Sequence, residues 1–363
     1  MKRTLIFVVL FAMIFSAFAG CAPKAADETP VTDAVQPEEA ATEVEEVKEL
    51  EVLKVSVMPA LNSVPIKYMI DNGIDVAHGF KLETVTFPNG GIMNEAFASG
   101  EVECGVASAA AVNTLAIYGG YCLAEIGACE GGCGTFVLED SPIAAVKGYN
   151  PSYPDVYGSP ETLKGAVIAT VTGSISHLNV IKWLEKLGMT QDDVEIVNME
   201  YPQAFQALKT GNCDVAAVNP PTYFEAIATE GVVETSNLTN LDVPQFDCIL
   251  ASKETYDTRK DLLVRYIEAF YEATDALRAD TDMAAQVLKD WYAENGTEFT
   301  IEECKREVEL RPFVTSEEAL ARQIGDCIQV TGQFWISQGL LEESKYPEIA
   351  THIDDSLMKD ALA

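Results

Sequence analysis

Between residues 53 and 250 the apolar positions follow two alternating periods. Short apolar runs have the length and composition of strands: LKVSV from Leu53, KLETVTF from Lys81, VECGVAS from Val102, AVIATV from Ala166, DVEIVNM from Asp193 and CDVAAVN from Cys213. Between them the spacing changes to that of helices over 64–72, 92–99, 111–118, 177–187, 203–209 and 222–229. Gly73, Gly100, Gly188 and Gly211 each follow the last periodic residue of a helix, where a left-handed cap favours glycine.

The pattern occurs twice. An offset of 111 residues sets AFASGEVECGVAS, from Ala96, on ALKTGNCDVAAVN, from Ala207, without a gap, and Gly120 on Gly231. VPIKYMIDNG, ending at Gly73, resembles NVIKWLEKLG, ending at Gly188. Each copy reads strand, loop, helix, strand, short helix, strand, helix, which predicts an α/β fold of two lobes, each a mainly parallel sheet flanked by helices. From about Thr258 the pattern is helical, and DLLVRYIEAFYEATDALRA puts Leu262, Tyr266, Ala269, Ala273 and Leu277 on one face. These C-terminal helices are expected to pack on the first lobe, giving lobe one as 53–142 with 247–363 and lobe two as 143–246. The crossings then fall in 140–147 and 243–250, and a hinge there can close a cleft. Ligands of such sheets meet the carboxyl ends of the strands, which selects six loops: 58–63, 88–91, 107–110, 171–177, 200–203 and 219–222.

The N-terminal 20 residues differ in kind. MKR precedes an apolar stretch from Leu5 to Ala19, shorter than a ~20-residue membrane span and suited to a signal peptide. Cys21 then resembles the lipidated cysteine of a bacterial lipobox. Residues 22–52 hold ten acidic residues, two lysines, three prolines and no aromatic, the composition of a disordered acidic tether behind the lipid. The net charge of -33 argues against nucleic-acid binding, which needs Lys and Arg on phosphates. Eight cysteines remain after Cys21, and Cys129 with Cys133 in GACEGGCG are the best candidates for a disulfide. As a zinc pair they are weak, since the chain has three histidines and none lies near them. No metal and no cofactor are expected.

The lipobox, LKVSV, AFASGEVECGVAS, TGSISH, LEKLGMTQDDVEIV and ALKTGNCDVAAVNPP, in this order, resemble the NitT/TauT-type solute-binding proteins of ABC importers over essentially the whole mature domain. The resemblance implies a lipid-anchored, two-lobed periplasmic-binding fold of type II on the outer face of the bacterial cell membrane, or in the periplasm. It would act as a monomer, without chemistry of its own, and deliver a small polar solute such as nitrate, a sulfonate or taurine to an ABC permease and its ATPase. The family holds its solute between the lobes with loops at helix starts. The matching positions are Asn62, Asn89, Ser108, Gly173, Ser174 and Ser176, together with Asn219 and Pro220 where many relatives carry an acidic residue before proline. Gly90, Gly91, Ala109 and Thr172 lie in the same loops.

Arginine and lysine are absent from all six loops, so an anionic ligand would depend on backbone N–H groups and helix dipoles. Ser174 and Ser176 read either as helix caps alone or as caps that also touch ligand. His177 reads first as a first-turn side chain packed at the lobe edge, with ligand donor and pH-sensitive group as alternatives. Tyr201 stacks on a solute, closes the cleft or simply packs. Glu130 is a solvated loop carboxylate, or a selector for an amine such as that of taurine or of a thiamine-precursor heterocycle. A serine hydrolase is disfavoured: the G-x-S-x-G elbow fails, because Ser174 directly follows Gly173 and position 178 is Leu. A sensor or chaperone built on the same fold is the remaining alternative to transport.

Overall fold

The structure is a computed structural model that describes residues 50–88 and 90–363. The expected signal peptide, Cys21, nearly all of the expected tether and Asn89 lie outside the described residues. Among the described residues ten strands form two five-stranded sheets. In chain order they are β1 (Glu51–Val57), β2 (Phe80–Thr86), β3 (Cys104–Ala107), β4 (Tyr121–Ala128), β5 (Gly134–Leu138), β6 (Val167–Thr170), β7 (Glu195–Asn198), β8 (Val215–Val218), β9 (Val232–Asn237) and β10 (Phe246–Ala251). The first sheet runs β2-β1-β3-β10-β4 and the second β7-β6-β8-β5-β9.

The two orders are the same plan written twice. The elements that start at Val64, Gly90, Cys104 and Ala111 have counterparts that start at Ile175, Tyr201, Val215 and Thr222, so the 111-residue offset holds for three helices and a strand. In each sheet three strands pair in parallel, as Leu53 with Leu82 or Ile168 with Ile196. The fourth place belongs to a strand from the other half of the chain, and it runs antiparallel: β10 beside β3 and β4, β5 beside β8 and β9. The sheets are therefore mixed.

That borrowing moves one boundary. The first crossing lies between β4 and β5, at residues 129–133, rather than in 140–147, and residues 134–142 do not continue the first sheet. GTFVL is buried along nearly its whole length, wedged between β8 and β9, and nothing in its apolar run distinguishes one sheet from the other. The return falls between β9 and β10, at 238–245. The first strand begins at Glu51, two residues before the expected edge of lobe one.

Each lobe buries its own core. Leu53, Val55, Ile66, Phe80, Ile249 and Phe270 form one, and Phe136, Phe205, Val218 and Phe224 another. The long helix Lys260–Ala279 buries Leu262, Tyr266, Ala269, Ala273 and Leu277, the face predicted from the sequence, and packs on the helix Val64–Asn72 and on β4. Its C-terminal neighbour Asp326–Ser337 does more. Its Ile328, Phe334 and Trp335 belong to one apolar cluster with Ile175, Leu178 and Ile181 of the helix Ile175–Lys186, so the C-terminal helices cover lobe one and also reach lobe two. Among the described residues no helix is long and apolar enough to cross a membrane.

Candidate functional site

The loop that opens the second lobe is built from its glycine and two serines. Gly173 has φ 78°, a conformation that L side chains rarely adopt, and this turns β6 into the helix Ile175–Lys186. Ser174 caps that helix: its Oγ accepts from His177 N–H at 3.2 Å, leaving its own proton to donate. Ile175 and Ser176 follow in the first turn, where backbone N–H groups have no carbonyl behind them in the helix. Ser176 is fully buried, and its Oγ lies 3.4 Å from Cys133 Sγ of the crossing. The Tyr201 hydroxyl meets Ser174 and Ser176, and burial pushes its pKa up to about 12, so it remains a neutral donor. Thr172 is tied to the neighbouring loop, with both its N–H and its hydroxyl donating to Asn198 Oδ1 at 2.9 and 3.0 Å. Four groups from three segments, Ser174, Ser176, Tyr201 and Cys133, therefore converge at one helix start.

His177 braces this loop from inside. Its Nδ1 accepts from Gly173 N–H at 3.1 Å, its ring meets the edge of Phe334 at 5.2 Å, and its buried Nε2 has no hydrogen-bond partner among the described residues. Burial lowers its pKa to about 4, which makes the ring neutral at pH 7.

On the first lobe, Asn62 is buried and occupied. Its Nδ2 donates to Asp247 Oδ1 at 3.0 Å and its Oδ1 accepts from Ser63 Oγ at 3.2 Å. Asp247 in turn pairs with Arg311, whose second partner is Glu307. Tyr292 donates to Glu307 at 2.9 Å. Burial raises the Asp247 and Glu307 carboxyls, and Arg311 opposes that shift in both. Gly90 comes so close to the next loop that an added Cβ would sit 2.5 Å from Ala110 Cβ. Gly91 lies in the same first turn, Ala109 is buried and Ser108 is half-buried, with its carbonyl accepting from Ala111 N–H.

The crossings bring the lobes together. Glu130 accepts from Gln245 N–H at 3.3 Å, which ties the outgoing strand connection to the returning one. Cys129 and Cys133 are both free thiols, so the expected bridge does not form. They serve opposite ends of the crossing: Cys129 lies near Asp247 and Arg311 of the first lobe, Cys133 at Ser176 of the second. Between them Gly132 would set a Cβ 3.4 Å from Pro220 and 3.6 Å from Arg311. Asn219 uses its carbonyl to accept from Tyr223 N–H at the start of the next helix.

Several polar groups of the site carry no loop signature. Glu234 of β9 is half-buried, accepts from Asn237 Nδ2 at 3.1 Å and neighbours the Tyr223 hydroxyl. Burial raises its carboxyl, against the pull of Asn237, Tyr223 and Arg306. Arg306 belongs to the helix Ile301–Leu310 of the C-terminal part. Tyr223 stands beside the NPPT loop and could have been read as an aromatic at a helix start. Arg306, Arg311 and Glu234 could not, because their place in the site depends on which helix or strand borders the crossing.

This geometry has relatives. The NMT1/THI5-like family matches residues 156–284. A protein of Brachyspira hyodysenteriae named as an ABC transporter periplasmic binding protein is 51% identical over 310 residues, spanning 85% of this chain and 89% of that one. Among solved structures, the aliphatic sulphonate binding protein SsuA of Escherichia coli has a TM-score of 0.64 at 19% identity, covering 83% of this chain and 92% of its own. The nitrate-binding protein NrtA of Synechocystis PCC 6803 has a TM-score of 0.65 at 11% identity, covering 86% and 88%. At such identities these two speak for the fold alone. The relatives are named as binding proteins, and the 51% match carries the assignment: the chain belongs to the periplasmic binding proteins of ABC transporters, as an extracytoplasmic solute-binding component.

Proposed function

We propose that the two lobes close on a small solute with an anionic head, of the sulfonate or nitrate kind, and that Cys21 carries the lipid that holds this monomeric receptor at the membrane beside its permease. The observation that carries this reading is the helix start at Ser174. Two serine hydroxyls, the Tyr201 phenol and the first-turn N–H groups meet where the helix dipole favours negative charge. No arginine or lysine from the six loops is needed, since hydrogen bonds to a charged acceptor are individually strong. In this reading Ser174, Ser176, Tyr201 and Thr172 form the second-lobe jaw, with Asn89 to Gly91, Ser108 and Ala109 as the opposing one and Asn219 and Pro220 at the floor. Asn62, Glu130 and His177 position the jaws from behind.

A second reading has one observation in its favour. Glu234, half-buried beside Tyr223 near the crossing, is placed to accept from a ring amine of a thiamine-precursor-type heterocycle. Titration calorimetry on the full chain separates the two, with an alkanesulfonate, taurine and nitrate in one panel and an aminopyrimidine in the other. Tyr201→Phe is expected to weaken a sulfonate or nitrate about tenfold, the loss of one hydrogen bond to charge, while changing apo stability by about 1 kcal/mol or less. Unchanged affinity with lowered stability would make Tyr201 a packing residue. Binding of the aminopyrimidine alone, abolished by Glu234→Gln, would give the site to the heterocycle.

A further inference from the structure

Three cysteines and a glutamate meet in the first lobe at a place the solute cleft does not use. Cys122 and Glu125 lie on β4, Cys248 on β10 and Cys327 in the first turn of the helix Asp326–Ser337. All four are buried. Cys122 and Glu125 are three residues apart, and in an unbroken strand that spacing sends side chains to opposite faces. One register shift in the β4–β10 pairing, at Ile249/Leu250, corrects this by adding Leu123 as an extra residue between Cys122 and Ala124. Cys248 stands opposite Glu125 and Leu250 opposite Cys122, with irregularities between Asp247 and Cys248 and between Ile249 and Leu250. A bulge of this kind re-aims side chains, and here it turns both residues toward the face that the helix covers.

The donor atoms are close. The Cys248 and Cys327 sulfurs and a Glu125 oxygen all lie within 4.8 Å of one another, and Cys327 Sγ is 3.6 Å from Glu125 Oε1. The Cys122 thiol is within hydrogen-bond reach of Cys248. Glu125 is also held in place: Gly325 N–H donates to Oε1 at 2.9 Å, and Arg322 Nε stands 3.3 Å from Oε2 while its guanidinium stacks on Phe246. An outer shell of this sort fixes a ligating carboxylate. The cluster is also reachable. Glu125, Cys327, Arg322 and Phe246 line a groove of about 410 Å³ that opens between the helix Ile175–Lys186 and the return crossing.

We propose that Cys248, Cys327 and Glu125 bind a thiophilic divalent cation such as Zn²⁺, with water from the groove in the fourth position and Cys122 donating to the Cys248 sulfur. The charges balance. Two thiolates and a carboxylate, three negative charges in all, are matched by the divalent ion and the Arg322 guanidinium. The two thiols release their protons to solvent on binding, and no oxidant is required. Metal ligation by two sulfurs and an oxygen with an open fourth position is within the ordinary coordination of zinc. A cation here would join β4, β10 and the helix Asp326–Ser337 at the point where the chain returns from the second lobe.

The test is to titrate the thiol-reduced full chain with Co²⁺, followed by displacement with Zn²⁺. One equivalent of Co²⁺ is expected to give a thiolate-to-metal charge-transfer band that Zn²⁺ abolishes, with release of about two protons per ion and an affinity that weakens as pH falls. Cys327→Ser should remove the band, and Glu125→Gln should weaken Zn²⁺ binding at least tenfold. Cys304→Ser, a buried cysteine of the helix Ile301–Leu310 outside the cluster, should leave both unchanged. Circular dichroism of each variant separates lost binding from lost folding, and Glu125→Gln, which keeps its hydrogen-bonding shape, serves if Cys327→Ser fails to fold. Absence of the band from the folded wild-type chain, its persistence in folded Cys327→Ser, or a chain that purifies with Cys248 in a disulfide would overturn the proposal.

Discussion

His177 shows how much a single side chain depends on what is packed over it. In the sequence it follows two hydroxylated residues, and the residue types alone suit a catalytic base as well as a packed ring. The structure answers through Phe334, a residue 157 positions later that closes over the imidazole. Burial then lowers its pKa to about 4, whereas an unfolded histidine titrates near 6.5. The sign follows from proton counts. Between these values the unfolded chain binds a proton that the folded chain does not, so the contribution of His177 is complete above about pH 6.5 and is lost progressively as pH falls toward 4. That loss is on the order of 3 kcal/mol. His177→Asn, which keeps an acceptor for Gly173 N–H, is expected to flatten the stability profile over this window in urea titrations at pH 7.5, 6.0 and 5.0. Parallel profiles for the two proteins would show that other groups set the acid limit. Ser174 was legible as a cap because capping is local. The company it keeps, Tyr201 and Cys133, was not.

At the scale of elements, local signals fixed the helices and most strands. The helix Val64–Asn72 has the predicted bounds, and Gly73 and Gly188 take φ 67° and 75° as the left-handed caps require. What escaped was β5, whose apolar run suits either sheet equally, so its membership depends on the open place between β8 and β9. The network around Arg311 is the energetic counterpart of that crossing. Arg311 is 7% exposed, and its partners Asp247 and Glu307 are 4% and 1% exposed. Removing the Arg311 cation leaves these two buried carboxylates without their ion-pair partner, a loss of about 3–5 kcal/mol. Arg311→Met should therefore lower the urea midpoint steeply, and lowering the pH to 5 should recover part of the loss, as the carboxyls whose pKa burial already raises take up protons. A midpoint within experimental error of wild type would mean that water enters and solvates the pair. The cysteines belong to this scale too. Cys129 and Cys133 looked paired by spacing, but the crossing stretches between two lobes and sends each thiol to a different one.

For the molecule as a whole, charge is the dominant sequence-level quantity. A net charge of -33 over 363 residues repels itself wherever it is solvent-exposed, and salt screens that repulsion within a Debye length of about 10 Å at 0.1 M. The melting temperature should therefore rise between about 10 mM and 300 mM NaCl. A flat response, followed by differential scanning fluorimetry, would show that surface ion pairs such as Lys67 with Asp71 and Glu294 already neutralise the folded surface. The sequence by itself determined the two-copy plan, the 111-residue register, the helix caps and the loops at the strand ends, because each rests on neighbours within one or two turns of chain. Only the tertiary structure decided where the chain crosses, which strand each sheet borrows, what covers His177, and that Cys122, Glu125, Cys248 and Cys327 come together. Those outcomes join residues up to about 200 positions apart, and their cause is the burial of apolar and charged groups that no local period encodes.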